Sequence, residues 1–306
     1  MNKFIKPISQ YLQNYYVCNK NFKDTYTNVS NIYVIGDIHG DLSVLVKSLR
    51  KINIIDRNLN WIGGNSHIVQ LGDLLDGGGR GNNMNTNNSS AMEEFTIFEF
   101  LNNLDNQARQ KGGRVHYLIG NHELMNLLGD FKYVATNHLN STGIETRKKL
   151  FKPGGYMASM LACHSYGVLK INNWIFCHAG LLPQHINNRS ITDINNLVRG
   201  VFSGKIGLQN ISAEEQELLL GNTSLFWNRF YAKNSNNCTV LNKTLDIVNK
   251  GSGGMIVGHT PHYNITNVCR QKLYFADVGL SRAFTQHNFN NIQILHIKKG
   301  QQPRVI

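Results

Sequence analysis

The sequence lacks any apolar run that approaches the ~20 residues a helix needs to cross a membrane. Its first twenty residues also lack the continuous apolar core of a signal peptide. From these absences we expect a soluble, intracellular protein of the cytoplasm with no membrane partner.

Cysteine is also scarce. The chain has five cysteines, an odd number, and no two of them form a CxxC pair. Because they lie far apart, they indicate neither a disulfide framework nor a thiolate zinc site. A reducing compartment fits this pattern, and the cysteine beside His178 is interpreted as a packing residue. The cysteines are Cys18, Cys163, Cys177, Cys238 and Cys269.

Acidic residues are few relative to basic ones. The chain has 19 Asp and Glu against 31 Lys and Arg, which leaves a formal net charge of +12 at pH 7. This surplus predicts attraction to nucleic acid or phosphorylated substrates. The basic residues are dispersed apart from short groups such as "TRKKLFK" and "HIKKG", with little aromatic interleaving. Nucleic acid is therefore an open but not a favoured partner.

Short apolar runs recur along the chain, and each ends in a polar cluster. The five are "NIYVIGDIHGD", "HIVQLGDLLDG", "RVHYLIGNHE", "NWIFCHAG" and "GGMIVGHTPH". An apolar run that stops at Gly is typical of a buried strand followed by a loop. Helical patterns lie between them: one follows Asp41, and another has Ser212 and Glu215 at the spacing of a capping box. The order predicts an α/β fold with sites at the strand ends.

Six candidate metal ligands stand at those predicted strand ends: Asp37, His39, Asp73, Asn121, His178 and His259. Two divalent ions ~3.5–4 Å apart need a bridging carboxylate and a mixed set of carboxylate, imidazole and amide ligands. The alternative is that these are satisfied core histidines and turn aspartates. We expect a two-metal centre with Mn²⁺, although iron with zinc fits the same donor set.

The motifs "GDIHGD", "GDLLDGGGR", "GNHE", "HAGL" and "VGHTPH", in this order, resemble those of the phosphoprotein phosphatases in the calcineurin-like metallophosphoesterase superfamily. The segments "KPGGYMASMLA", "FWNRFY" and "DVGLSRAF" are similar to the Shewanella-like branch. The resemblance implies two packed mixed β-sheets flanked by helices in four layers. It places the catalytic domain at residues 31–306, after an N-terminal extension at residues 1–30.

The resemblance also implies roles for individual residues. Asp37 and His39 would hold the first metal ion, and Asp73 would bridge the two. The second ion would be held by Asn121, His178 and His259, with Asn121 also contacting substrate. His122 would be the general acid for the leaving oxygen, and Asp76 would orient it and favour its protonated form. A metal-bridging hydroxide would attack phosphorus in line.

The loop "GDLLDGGGR" departs from the family motif Gly-Asp-x-x-Asp-Arg-Gly. Gly77 stands where the family has an arginine that clamps the phosphate. We hypothesise that the glycines let the chain fold back and present Arg80 to the same phosphate. The alternative is a slack surface loop. Arg229 in "FWNRFY" resembles the second phosphate-binding arginine of the family.

The predicted function is metal-dependent hydrolysis of phosphomonoesters, on Ser, Thr or Tyr of a phosphorylated protein. One alternative is a hydrolase of dinucleoside polyphosphates or nucleic acid, since the same centre cleaves anhydrides and diesters. Another is an inactive phosphate-binding scaffold. The sequence pattern specifies no oligomeric state.

Overall fold

The computed structural model describes residues 6–19, 21–78, 91–234, 237–284 and 292–306. These residues form twelve strands: β1 Thr25–Tyr26, β2 Asn31–Ile35, β3 His67–Gln70, β4 Arg114–Leu118, β5 Ser165–Tyr166, β6 Val168–Ile171, β7 Trp174–Cys177, β8 Gly254–Val257, β9 Thr266–Val268, β10 Leu273–Phe275, β11 Leu295–Lys298 and β12 Arg304–Val305. The five apolar runs of the sequence are β2, β3, β4, β7 and β8, as predicted.

The strands of the described chain form two mixed six-stranded sheets. One has the order β1-β6-β7-β8-β10-β9, and the other has the order β12-β11-β2-β3-β4-β5. In the second sheet β2, β3, β4 and β5 are parallel, so their carboxyl ends meet at one edge. The sheets pack on each other, since the ring of Tyr26 in β1 lies against His67 in β3 and His116 in β4. The predicted pair of packed mixed sheets is confirmed.

Helices cover the sheets: α3 packs on β4, and α9 packs on β6. The helices are α1 Ile8–Gln13, α2 Leu42–Lys51, α3 Ala91–Arg109, α4 Asn121–Leu128, α5 Thr136–Thr142, α6 Ile144–Phe151, α7 Tyr156–His164, α8 Pro183–Ile186, α9 Ile191–Phe202, α10 Ala213–Leu220, α11 Phe230–Lys233 and α12 Cys238–Asn249. None among the described residues is long and apolar enough to cross a bilayer.

Local sequence explains where two helices begin. The Asp41 carboxylate accepts a hydrogen bond from Val44 N at 3.1 Å, which satisfies an otherwise unpaired amide at the start of α2. At α10, Glu215 N donates to Ser212 Oγ at 3.2 Å, and Ser212 N donates to the Glu215 carboxylate at 2.8 Å. Both caps are where the sequence predicted them.

The N-terminal residues contribute to the packed structure. Thr25 and Tyr26 pair with β6 at the edge of the first sheet, and α1 packs against α6 and α7. The division of the chain at residue 30 stays a prediction.

The prediction of unpaired cysteines is wrong for four of the five. Disulfides join Cys18 to Cys163 and Cys238 to Cys269, with Cα–Cα distances of 5.5 Å in both pairs. The paired residues are 145 and 31 positions apart, so only the tertiary fold brings them together. Cysteine spacing therefore gives no support for a reducing compartment. Cys177 is buried and unpaired, and burial raises the pKa of its thiol to about 12, as suits a packing residue.

A buried histidine in β3 makes stability depend on pH. Burial, assisted by the nearby charge of Arg114, lowers the pKa of His67 from 6.5 to about 4. Below pH 6.5 the unfolded chain therefore binds a proton that the folded chain excludes, and stability is lost as the pH falls towards 4. We expect His67 to remove about 2 kcal/mol of unfolding free energy between pH 7.5 and 5.

Thermal unfolding of the wild type and His67→Gln at both pH values measures this contribution. The Tm of the variant should fall less on acidification than the Tm of the wild type. Burial also lowers the pKa of His185 to about 4, so His185→Gln is a matched second variant. If Tm fell equally on acidification in the wild type, His67→Gln and His185→Gln, the pH-dependent contribution assigned to His67 would be wrong.

Candidate metal centre

The polar loops after β2, β3, β4, β7 and β8 meet where the two sheets end against each other. All six candidate ligands are buried there, and none is more than 6% exposed. The backbone approach is close, because a Cβ on Gly36 would lie 2.3 Å from Ala276 O at the end of β10. The structure therefore brings together side chains that are up to 222 positions apart, such as Asp37 and His259.

Asp73 lies at the centre of this cluster. Two sets of three side chains each place ligand atoms within 4.8 Å of one another: His39, Asp73 and His122 form one, and Asp73, His178 and His259 form the other. Asp73 Oδ2 is 3.8 Å from His39 Nε2 and 3.4 Å from His178 Nε2. One carboxylate is thus shared by two candidate cation sites, as a bridging ligand must be.

The remaining candidate ligands border these two sets. Asn121 Oδ1 is 2.9 Å from His178 Nε2, which places it beside the second set. Asp37 accepts a hydrogen bond from His259 N at 3.1 Å through Oδ2. His122 belongs to the first set by distance, although the sequence reasoning gave it no ligand role.

The donor set fits divalent cations. Asp37 Oδ1 and Asp277 Oδ2 are buried and accept no hydrogen bond within the described part of the chain. Burial raises the pKa of the Asp37 carboxyl well above its usual range, and the adjacent charges of Asp277 and Asp73 add to it. Three buried carboxylates that repel one another are costly without positive charge between them. Oxygen and imidazole donors are those that Mn²⁺, iron and zinc bind.

Glycines leave room for the carboxylates. A Cβ on Gly120 would lie 2.1 Å from Asp73 Oδ1, and a Cβ on Gly258 would lie 2.4 Å from Asp37 Oδ1. Any side chain at these two positions would displace a candidate ligand.

The backbone at the site is held in an uncommon conformation. His39, Asp73, Asp76 and His259 have φ angles of 43°, 53°, 69° and 66°, in the left-handed region. Such angles cost free energy in residues other than glycine and persist only where surrounding contacts impose them. Three candidate metal ligands and the proposed partner of His122 are thus held in this conformation.

Glu123 imposes that conformation on the Asp73 loop. Its buried carboxylate accepts hydrogen bonds from Asp73 N at 2.9 Å, Leu74 N at 2.8 Å and Leu75 N at 3.1 Å. It also accepts one from Gly120 N at 2.8 Å and so caps α4. Burial, followed by the charge of Asp73, raises the pKa of Glu123 to about 7. This residue therefore joins the motifs "GDLLDGGGR" and "GNHE".

The charges around Asp73 favour its ionised form. Burial opposes ionisation, but His178 and His122 outweigh it and hold the pKa of Asp73 well below its usual range. Burial, together with His178 and Arg229, lowers the pKa of His259 well below its ordinary value. A neutral imidazole and an ionised carboxylate are the forms that bind a metal ion.

His122 and Asp76 form a buried pair beside the cluster. His122 Nδ1 donates to Asp76 Oδ2 at 2.8 Å. The proton is placed on Nδ1 because this nitrogen faces a carboxylate oxygen, which can only accept. The other ring nitrogen, Nε2, lies 3.9 Å from Asp73 Oδ2 and faces the shared carboxylate. The geometry matches an imidazole that a carboxylate orients towards a reacting group.

The glycine loop is described only as far as Gly78. Gly77 N donates to Glu94 Oε1 at 3.2 Å, and Gly78 N donates to Tyr133 O at 2.9 Å. A Cβ on Gly78 would lie 2.3 Å from that same carbonyl oxygen. These two glycines are therefore packed rather than slack. Arg80 lies outside the described residues, so the displaced clamp stays a prediction.

The rim of the site carries Arg229 and three aromatic rings. Arg229 Nη1 donates to His259 O at 3.1 Å and to Thr260 Oγ1 at 2.9 Å. The centroid-to-centroid distances are 5.1 Å for Tyr133 and His122, 5.3 Å for Phe284 and His39, and 6.1 Å for Trp227 and His259. Each of these three histidines therefore has an aromatic neighbour.

Four buried residues near the site were missed by the sequence reasoning: Glu94, Asn126, Arg147 and Asp277. Arg147 lies in "TRKKLFK", which reads as a basic surface group, yet its side chain is 0% exposed. Asp277 lies in "DVGLSRAF", a segment that had been singled out without a role for its carboxylate. The one sequence signal for Asp277 was that an Asp directly follows an apolar run there.

Comparison with known proteins agrees with this geometry. A profile described as calcineurin-like phosphoesterase matches residues 30–290, so the chain belongs to that family. The chain is therefore a metallophosphoesterase, a phosphatase among the hydrolases, in a family that acts with divalent metal ions. The resemblance seen in the motifs is confirmed.

Individual relatives narrow the comparison. The chain is 27% identical to Shewanella-like protein phosphatase 2 of Arabidopsis thaliana, covering 90% of this chain and 77% of that protein. It is 30% identical to Shewanella-like protein phosphatase 1 of Plasmodium berghei, covering 85% of this chain and 70% of that protein. Among solved structures, the cold-active protein-tyrosine phosphatase of a psychrophilic Shewanella species is similar, with a TM-score of 0.75 and 25% identity over 92% of this chain and 78% of that one.

The shared carboxylate predicts the outcome of a metal-binding measurement. We expect the wild type to bind two equivalents of Mn²⁺ in calorimetry and elemental analysis, and Asp73→Asn to bind at most one, weakly. The buried Asp105 is a matched control, because it pairs with Arg114 at 2.9 Å. Asp105→Asn should keep both equivalents. Full metal content in Asp73→Asn would contradict the bridging assignment.

Proposed function

We propose that the chain is a Mn²⁺-dependent protein phosphatase that hydrolyses phosphomonoesters and prefers phosphotyrosine. The observation that carries the proposal is the Asp73 carboxylate, which is shared by two candidate cation sites and lies beside the His122–Asp76 pair. In this proposal Asp37, His39 and Asp73 hold the first ion, and Asp73, Asn121, His178 and His259 hold the second.

The residues of the chain divide the chemistry between them. When bound, the two ions would supply positive charge for the phosphate oxygens and lower the pKa of water, so that hydroxide is available to attack phosphorus. His122 donates a proton from Nε2 to the leaving oxygen, while Asp76 holds Nδ1 and so fixes the ring. A positioned proton donor is worth ~10²–10⁴-fold in rate. Asn121, at the start of α4, contacts the phosphate as well as the second ion.

Arg229 is the proposed phosphate clamp on the described side of the site. Within the described residues its guanidinium is engaged only through Nη1, which leaves Nε and Nη2 for two phosphate oxygens. Arg80 is proposed to face it across the phosphate, in place of the arginine that the family has at the position of Gly77.

The aromatic rim supports the preference for phosphotyrosine. Tyr133, Phe284 and Trp227 are partly exposed, whereas the histidines they contact are buried. A phenyl phosphate would reach the floor of the site with its ring between aromatic side chains, where ring pairs add favourable contact. The relative from Shewanella is itself named a protein-tyrosine phosphatase.

A substrate panel tests the function. With Mn²⁺ present, phosphotyrosine peptides should be turned over faster than phosphoserine and phosphothreonine peptides. Diadenosine tetraphosphate and a phosphodiester should be poor substrates. His122→Asn should lower kcat for phosphotyrosine by ~10²–10⁴-fold, because the leaving oxygen loses its proton donor. Faster turnover of the nucleotide or diester would overturn the protein-phosphatase assignment, and no turnover would favour a phosphate-binding scaffold.

The same panel tests the arginines. Arg80→Ala and Arg229→Ala should each raise KM and lower kcat for the phosphotyrosine peptide. Arg189 is a matched control, since it pairs with the exposed Glu214 at 3.1 Å, and Arg189→Ala should change neither constant. Unchanged constants in Arg80→Ala would eliminate the displaced clamp while leaving the rest of the proposal in place.

A further inference from the structure

A buried polar cluster lies behind the His122–Asp76 pair. Its members come from three helices: Glu94 from α3, Asn126 from α4 and Arg147 from α6. All three are at most 1% exposed, and Asp76 is 0% exposed. The cluster is therefore shielded from solvent, and it touches the proton-donating pair from behind, through Asp76 and through the His122 carbonyl oxygen, to which Asn126 Nδ2 donates at 2.9 Å.

Arg147 connects the cluster. Its Nη2 donates to Asp76 Oδ1 at 3.2 Å, its Nη1 donates to Glu94 Oε2 at 2.8 Å, and its Nε donates to Asn126 Oδ1 at 2.7 Å. The guanidinium also lies over the ring of Phe151, 5.1 Å from its centroid. Three acceptors in different directions and a flat apolar surface suit a planar guanidinium, and a lysine cannot satisfy all of them.

The hydrogen bonds assign separate tasks to the two oxygens of Asp76. Oδ1 accepts from Arg147 Nη2 at 3.2 Å and from Asn126 Nδ2 at 2.8 Å. Oδ2 accepts from His122 Nδ1 at 2.8 Å. Because Oδ1 is held, the carboxylate cannot rotate away from the imidazole, and His122 Nε2 stays directed at the shared carboxylate of Asp73.

Glu94 holds the backbone next to the Asp76 carboxylate. Its Oε1 accepts from Asp76 N at 2.9 Å and from Gly77 N at 3.2 Å, at the start of the glycine loop. Burial opposes ionisation of Glu94, but Arg147 and His138 outweigh it and hold its pKa well below the usual range. One guanidinium thus compensates two buried carboxylates, one that supports the loop and one that orients His122.

We propose that Arg147 is a positioning residue for the proton-donating step: it holds the Asp76 carboxylate so that His122 presents Nε2 to the leaving oxygen. The inference rests on the proposed function. It predicts that Arg147 matters most for substrates whose leaving oxygen needs a proton, because a sufficiently acidic leaving group departs unaided.

Two variants separate positioning from folding. Arg147→Lys keeps the charge but loses the forked geometry. Arg147→Met combined with Glu94→Gln removes one positive and one negative charge together, and it keeps an amide oxygen for the N–H groups of Asp76 and Gly77. A buried carboxylate without a partner is strongly destabilising, so the double variant should fold better than Arg147→Met alone.

Leaving-group dependence is the decisive readout. In both variants kcat for a phosphotyrosine peptide should fall about 10- to 100-fold, by analogy with the loss of hydrogen-bonding partners that orient metal-binding side chains. For p-nitrophenyl phosphate, whose leaving group is far more acidic, the fall should be several times smaller. Arg114 pairs with the buried Asp105 at 2.9 Å, and Arg114→Lys should leave both substrates unchanged. Equal losses on both substrates would show a merely structural role and overturn the proposal.

A measurement without turnover distinguishes this proposal from the proposed function. With diamagnetic Zn²⁺ in place of Mn²⁺, the Nδ1–H proton of His122 should give a protected, downfield NMR resonance in the wild type, identified by its absence in His122→Asn. In Arg147→Lys this resonance should weaken, because the proton exchanges more rapidly with water. If the wild type hydrolyses no phosphate ester, the proposed function fails, yet selective loss of this resonance would still support the positioning role. An unchanged resonance in Arg147→Lys would overturn it.

Discussion

The structure depends on one buried carboxylate, that of Asp73, at the edge where two sheets end together. Its backbone has a left-handed φ of 53°, and Glu123 fixes it by accepting the Asp73 N–H at 2.9 Å. Its Oδ1 accepts from His122 N at 3.0 Å, while its Oδ2 faces the imidazoles of three histidines. Position 120 must be glycine, because a Cβ there would lie 2.1 Å from Asp73 Oδ1.

The two-sheet architecture brings candidate ligands to the site from two sides, which a single sheet could not do. Parallel strands β2, β3 and β4 deliver Asp37, Asp73 and the start of α4 along one edge. Strands β7 and β8 of the facing sheet deliver His178 and His259 from the other side. The carboxylates thus come mainly from one sheet and the imidazoles from both, so the donor atoms surround a central volume. This volume is open on the side where Arg229 and the aromatic rings form the rim.

Local patterns predicted much of this arrangement. The five strands, the caps at Asp41 and Ser212, and the gathering of six polar residues at strand ends all follow from residue order and hydrophobic period. Each of these features depends on a few neighbouring residues. The motif order then pointed to the family, and the family match over residues 30–290 agrees with it.

Features that depend on distant residues were not predictable in this way. Cys18 and Cys163 are separated by 145 positions, and no spacing rule indicates their pairing. In the sequence Arg147 is one of a short group of basic residues with Lys148 and Lys149, but in the structure it points inward to Asp76, which is 71 positions away. Burial of a charged side chain is decided by the partner it finds, and a partner from another helix leaves no local signal.

The most direct test of the account is a crystal structure of the Mn²⁺-loaded protein with an anomalous difference map. We predict two peaks ~3.5–4 Å apart, both within ~2.2 Å of oxygens of the Asp73 carboxylate. His122 should lie outside both coordination shells, with Nδ1 still bonded to Asp76. A single peak, or two peaks that do not share Asp73, would contradict the central role given to this carboxylate.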